Sequence, residues 1–199
     1  MKKIEIPESR IDRIMIKLVS DSPLITGRYD GKDVTKKPRN AEIPKDTDTD
    51  KTKYLQSIYL TPDNKYGFPT MAFKKSVQTA ATILKKSGSK NIDGKKALMG
   101  FFLEGPEITE LETPGPKMRK GIARNTAMGK NTPVPAVNAQ FDKWAANLVI
   151  RYNSMMLSPE QIIMLFQEAG KNVGIGVMRP ETQGASFGLF HVEEAEGIE

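Results

Sequence analysis

The 199-residue sequence contains no cysteine and a single histidine, His191. The first absence excludes a disulfide framework and every thiolate site, and the second leaves a histidine-based zinc centre without ligands. Aromatic residues make up 7% of the chain, and no apolar run approaches the length that spans a bilayer. Met1-Lys2-Lys3 is followed by Ile4-Glu5-Ile6-Pro7 rather than the apolar core of a signal peptide, so the expected location is cytoplasmic, with no membrane partner. Acidic residues are unevenly spread. The net charge is +6, yet Glu193, Glu194, Glu196 and Glu199 form an acidic tail at 193–199, and the body before it carries +10. A basic body without an amphipathic basic helix predicts a polyanionic partner, nucleic acid before membrane.

What is present is 38% hydrophobic residues with 13 prolines and 16 glycines, the composition of one core carrying long polar excursions. A single domain over 1–199 is expected. Ile11 to Val19 alternates, with Ile14, Ile16 and Leu18 on one face, and reads as the first strand. Gly27 to Lys53 is nearly devoid of apolar residues and reads as an insertion at about 27–53. Its Asp46, Asp48 and Asp50 imitate a calcium loop, but Lys51 stands at the glycine position and Ser57 at the bidentate glutamate position, so no calcium site is expected.

Tyr54 to Leu60 is a short apolar segment that could be helix or strand. A turn over 61–67 leads to a helix from Thr70 to about Lys86, with Phe73, Val77, Ala80, Ala81 and Leu84 on its apolar side. Ala97 to Leu103 reads as a central strand and Glu104 to Gln140 as a proline-rich second insertion. Between them, Gly88 to Lys96 has the wrong spacing for a phosphate-binding loop. Lys143 to Tyr152 alternates as a further strand.

The region from Ser158 to Val192 carries the clearest signals. Ser158, Pro159 and Gln161 predict a capped helix start, and Gly170 a left-handed stop. Strands are expected over Asn172–Val177 and Ser186–Val192, with a loop over Met178–Ala185. The resulting fold class is α+β: a ferredoxin-like or RRM-like βαββαβ antiparallel sheet with an extra C-terminal strand and two long loop insertions, at about 27–53 and 104–140.

Two resemblances arise from particular residues. Ser22-Pro23-Leu24-Ile25, Gly67-Phe68-Pro69, Trp144, Ala169-Gly170, Val173-Gly174-Ile175-Gly176, Arg179-Pro180 and Gly184 together resemble an uncharacterised family of tailed-phage and prophage proteins. That likeness spans nearly the whole chain and implies a phage-encoded protein in a host cytoplasm, with no implied activity. The ferredoxin-like order with Gly174, Gly176, Gly184 and Gly188 after the second helix resembles the RAMP superfamily, the RNA-binding repeats of CRISPR effector backbones. It implies a single strand running along a row of copies, a homo-oligomer, with the segment Lys117 to Lys130 reaching over it.

The candidate contacts follow from chemistry. Lys117, Arg119, Lys120, Arg124 and Lys130 form a basic run without an acid, of the kind that orders on a polyanion or stays a solvated loop. Gly174 and Gly176 either admit a phosphate to backbone N–H groups or let a strand bend. Arg179 either bridges phosphate oxygens or pairs with Glu181 or Glu168. Lys74 and Lys85 lie on the polar side of the first helix. Tyr29, Tyr54, Tyr59 and Tyr66 are candidates for base stacking on the free sheet face. His191 has no second histidine or cysteine beside it, and the carboxylates are scattered. Hence no catalytic residue, metal or cofactor is expected. The expected function is non-enzymatic binding of single-stranded DNA or RNA. The alternatives are a phage structural or assembly protein, or an inhibitor of a host defence complex.

Overall fold

The alternation of the first strand sets the architecture. In the computed structural model, which describes residues 10–27, 48–86, 99–125 and 132–198, β1 (Ile11–Ser20) buries Ile14, Ile16 and Leu18 and turns Arg13, Met15 and Lys17 the other way. It pairs antiparallel with β9 (Ala145–Asn153), placing Ile14 opposite Ile150 and Ile16 opposite Leu148, and on its other side with β10 (Phe190–Ile198). β5 (Phe101–Glu104) adds to β9, giving an antiparallel sheet in the order β10-β1-β9-β5. β5 is therefore an edge strand, where its apolar sequence suggests a central one. Its apolar run covers one face only, Phe101 being buried and Phe102 exposed on the open face.

Helix α2 (Thr70–Lys86) lies in the chain between β1 and β5, and α3 (Pro159–Asn172) between β9 and β10. Their apolar sides, Phe73, Val77, Ala80 and Ala81 from one and Ile162, Leu165, Phe166 and Ala169 from the other, join the buried side of the sheet in one core. The start of α3 is as the sequence predicts, with Ser158 accepting from the Gln161 N–H and the Gln161 side chain accepting from the Ser158 N–H. Its end is not. Gly170 stays helical, and a Cβ there would run into the Phe190 carbonyl, so this glycine serves close contact between α3 and β10. The first left-handed residue is Gly174, at φ 71°.

Further corrections follow along the chain. No strand forms over 172–177, where the backbone turns through left-handed Gly174 and Gly176 instead. β10 begins at Phe190 and takes in the acidic residues up to Ile198, so the expected tail is an edge strand. Glutamates suit such an edge because it faces water and must resist pairing with other strands.

The proline-rich region 104–140 holds β6 (Ile108–Glu110), β7 (Lys117–Asn125) and most of β8 (Thr132–Phe141), where a loop insertion is expected. β7 and β8 form a ribbon, completed by β2 (Leu24–Thr26) into a sheet of order β2-β8-β7. Among the described residues β2 reaches no further than Ala139, which leaves the other end of β8 paired on one side, where Pro133 and Pro135 are tolerated. A third small sheet, β3 (Tyr59–Leu60), β4 (Tyr66–Pro69) and β6, sits before α2 in the chain and after β5. Of the 27–53 insertion, residues 28–47 lie outside the described residues, and the helix α1 (Asp48–Gln56) begins where they end. No helix among the described residues is long and apolar enough to cross a membrane.

Candidate nucleic-acid interface

Strand alternation divides the basic run. Lys117 and Arg119 project to one face of the ribbon, opposite Gln140 and Asn138, and Lys120 projects to the other, opposite Val137. On the first face a continuous set of contacts fixes the cations. The Arg119 guanidinium lies 4.6 Å from the centre of the Phe187 ring, and its Nη1 donates to Gln140 Oε1 at 3.0 Å. Gln140 Nε2 donates to Asp142 Oδ1 at 2.6 Å, and Asp142 Oδ2 meets Lys117 Nζ at 2.6 Å. The hydrogen bond from Lys117, with a second from Gln140, holds the Asp142 carboxyl below the usual aspartate range. Arg119 is thus oriented by a ring and an amide, with no acid among the described residues neutralising it and several N–H donors left over.

Arg119 opens onto a groove of about 200 Å³, shared with Ile122 and Asn138 of the ribbon and with Val177 and Met178 of the glycine-rich turn. Asn138 is fixed by donating to the Thr26 carbonyl at 2.9 Å. Met178 holds φ 61°, a left-handed conformation uncommon for a residue with a side chain. The same turn borders a larger groove of about 740 Å³ against α2, lined by Lys75, Ser76, Thr79, Gly176 and Arg179.

Within the turn, the glycines are occupied by the chain itself. A Cβ at Gly176 would lie 2.5 Å from the Ile25 carbonyl oxygen, and one at Gly174 3.0 Å from that of Gly188. The space beside each α-carbon is filled by the chain's own backbone. Arg179 donates from Nη1 to the Gly176 carbonyl at 2.9 Å and from Nε to Glu181 at 2.8 Å, so it braces the turn. The Glu181 pair that the sequence allows for it is formed.

The other candidates are dispersed. Lys74 Nζ sits 4.6 Å from the Phe102 ring centre and 5.5 Å from that of Phe101, beside β5, and burial pushes its pKa down. Lys120 is ion-paired with Asp50 at 2.7 Å. Arg124 pairs through its backbone with Pro133 in β7–β8, and Lys85 belongs to the last turn of α2; their side chains, like all of Lys130, lie outside the described residues.

The open face of the four-stranded sheet has a different character. Arg13 and Arg151 both contact Glu104, at 2.9 and 3.4 Å, and Lys17 contacts Glu193 at 2.8 Å. Glu104, Glu110 and Glu112 line a groove of about 360 Å³ with Asn147 and Val149. The expected stacking tyrosines are elsewhere. The Tyr54 hydroxyl donates to the Pro116 carbonyl at 2.9 Å, and the Tyr59 and Tyr66 rings pack edge-on against Phe68 and Phe141. Tyr29 lies outside the described residues. His191 Nδ1 is 2.7 Å from Asp21 Oδ1.

Sequence reasoning misses Phe187, Gln140, Asn138 and Met178. Phe187 reads as one more apolar strand residue, and the polar pair gives no signal until the register of β7 on β8 is known.

Fold and site together describe a mixed helix and antiparallel-sheet protein with an oriented cationic ribbon. No family model and no curated protein matches the chain. Among solved structures it is similar to a chain of the type III-B Cmr-beta complex bound to cognate target RNA, with 10% identity and a TM-score of 0.49. That match covers 95% of this chain but only 61% of the length of the other. It is also similar to Cmr6 from Pyrococcus furiosus, with 11% identity and a TM-score of 0.48, over 92% of this chain and 98% of that one. Neither comparison points to a phage family. Both scores are low, and what the site can do follows from its own side chains.

Proposed function

We propose that this chain binds single-stranded nucleic acid, DNA or RNA, without cleaving it, and that the strand lies in the groove between the ribbon and the glycine-rich turn. The observation that carries this reading is Arg119, held flat on Phe187 and bonded to Gln140, with donors free to bridge phosphate oxygens. Lys117 supplies a second cation on the same face, since its exposed pair with Asp142 is of the kind that yields readily to a competing phosphate. Binding is mainly to the backbone, because the tyrosines are engaged in packing or backbone hydrogen bonds. Val177 and Met178 supply the apolar contacts available to bases.

The order β10-β1-β9-β5, with a helix in each crossover, supports the ferredoxin-like reading of this half of the molecule. Phage origin, and assembly of copies along a strand, rest on the sequence resemblances. Fluorescence anisotropy with single-stranded DNA and RNA of about thirty bases, at low salt and then at rising salt, tests the reading. A steep fall in affinity with salt is expected. No binding to either at low salt would end it. Light scattering on the same mixtures, growing into multiples of the chain, would support assembly along the strand.

A further inference from the structure

The opposite face of the ribbon, where Lys120 points, is covered by α1. Asp50 Oδ2 meets Lys120 Nζ at 2.7 Å, the Tyr54 hydroxyl donates to the Pro116 carbonyl at 2.9 Å, and Ser57 Oγ accepts from the Ala139 N–H at 2.7 Å. The last of these buries Ser57 and fixes the C-terminal end of the helix. The first half is held on the ribbon by the Asp50 pair, whose side chains are 36% and 66% exposed for Asp50 and Lys120. Lys51, Thr52, Lys53, Leu55 and Gln56 all face solvent, so this nine-residue helix buries little apolar surface. A helix so short is marginal without its packing, and an exposed ion pair adds little to it.

We propose that the α1 side of the ribbon is a second anion-binding face, closed in the free protein, in which the Asp50 carboxylate occupies the place of a backbone phosphate at Lys120. The proposal rests on the nucleic-acid reading and adds a site and its gate to it. The geometry supplies both parts. Lys120 already binds an oxyanion at hydrogen-bonding distance, and the group that supplies it sits on the loosely held half of a helix anchored at its far end. A polyanion presents many phosphates at high local concentration, exchanges with the single carboxylate, and lifts the first half of α1 about the Ser57 anchor.

The test compares the full-length Asp50→Asn variant with Asp63→Asn, which removes the same charge from the turn before β4 and so controls for net charge. Oligonucleotide affinity and amide hydrogen exchange of α1 are both measured. Asp50→Asn is expected to bind a single-stranded thirty-base oligonucleotide about three-fold more tightly than Asp63→Asn, the scale of one exposed ion pair. Its α1 amides are expected to exchange faster without ligand, and those of the unaltered protein to do so once the oligonucleotide is added. Equal affinities of the two variants would overturn the second face, whether or not α1 loosens. Unchanged α1 exchange in Asp50→Asn would overturn the gate. Absence of binding by every version would remove the underlying nucleic-acid reading, while exchange in Asp50→Asn would still decide whether Asp50 holds α1.

Discussion

On the open face of the four-stranded sheet, Arg13, Lys17 and Arg151 each meet a glutamate, whereas on the ribbon Arg119 meets a phenyl ring and an amide. Both surfaces are antiparallel strands carrying cations. They differ in where the acids are. β10 brings Glu193, Glu194 and Glu196 alongside β1, while residues 113–141, which include the ribbon, contain no acid at all. A positive net charge is therefore an average over a neutralised face and an available one. On the sheet face an approaching phosphate meets glutamates beside each of these cations, whereas Arg119 offers its remaining N–H donors with a ring and an amide beside it.

The largest expected effect removes the support beneath the ribbon groove while leaving the sheet intact. Gly176→Ala places a methyl group against the Ile25 carbonyl and Leu24 at φ 80°, and should cost about 2–4 kcal/mol of stability in a urea titration. Next, Arg119→Ala should weaken oligonucleotide binding about tenfold, the scale of one charge-assisted hydrogen-bonded contact. Arg151→Ala should leave it unchanged within about twofold if the sheet face is not used. If the two variants weakened binding equally, the distinction between the faces would fail.

The salt dependence sharpens the same point. Replacing Lys117 and Arg119 together should lower the slope of log affinity against log salt by about 1.4, two phosphate contacts on a single strand. Neutralising the sheet face, with Glu104→Gln and Glu112→Gln, should raise affinity by no more than about twofold, a generic effect of net charge. A tenfold gain would show that acids alone had kept nucleic acid off that face.

The smallest expected effect is a titration. Lys117 lowers the pKa of Asp142, and Lys120 that of Asp50. A carboxylate whose pKa is depressed in the folded protein stabilises it above the unfolded pKa, and the contribution is lost as pH falls through the folded value. Carbon-13 spectra should show both aspartates titrating below the ordinary aspartate range. In Lys117→Ala, the Asp142 midpoint should move up and that of Asp50 stay.

Much of the four-stranded half is legible in the sequence because its signals are periodic and one-sided. Ile14, Ile16 and Leu18 announce β1, and Ser158 with Gln161 marks the start of α3. The ribbon is less legible, since Lys117 to Asn125 lacks an apolar alternation and the short alternation Val137 to Phe141 at the end of β8 follows two prolines. Its strands exist because each pairs with the other and β8 with β2. Gly170 shows another limit. A glycine near a helix end suggests a stop, but its use here, closeness to the Phe190 backbone, depends on a strand twenty residues further on. The basic run is visible in the sequence, yet its division into two faces requires the register. Arg179 and the glycines belong to the turn that shapes the groove, Arg179 by bracing it and Gly174 and Gly176 by close approach to neighbouring backbone.

Trp144, the sole tryptophan, is almost wholly enclosed and rests against Phe73 and Phe190, where α2, the residue before β9 and the start of β10 converge. The chain thus carries one built-in optical reporter at the junction of its layers. Its emission should be blue-shifted and inaccessible to iodide while the chain is folded, and should move to the red when that junction opens. Because it lies in the core, ligand on the ribbon should leave the spectrum still, so a single cuvette can separate occupancy from unfolding.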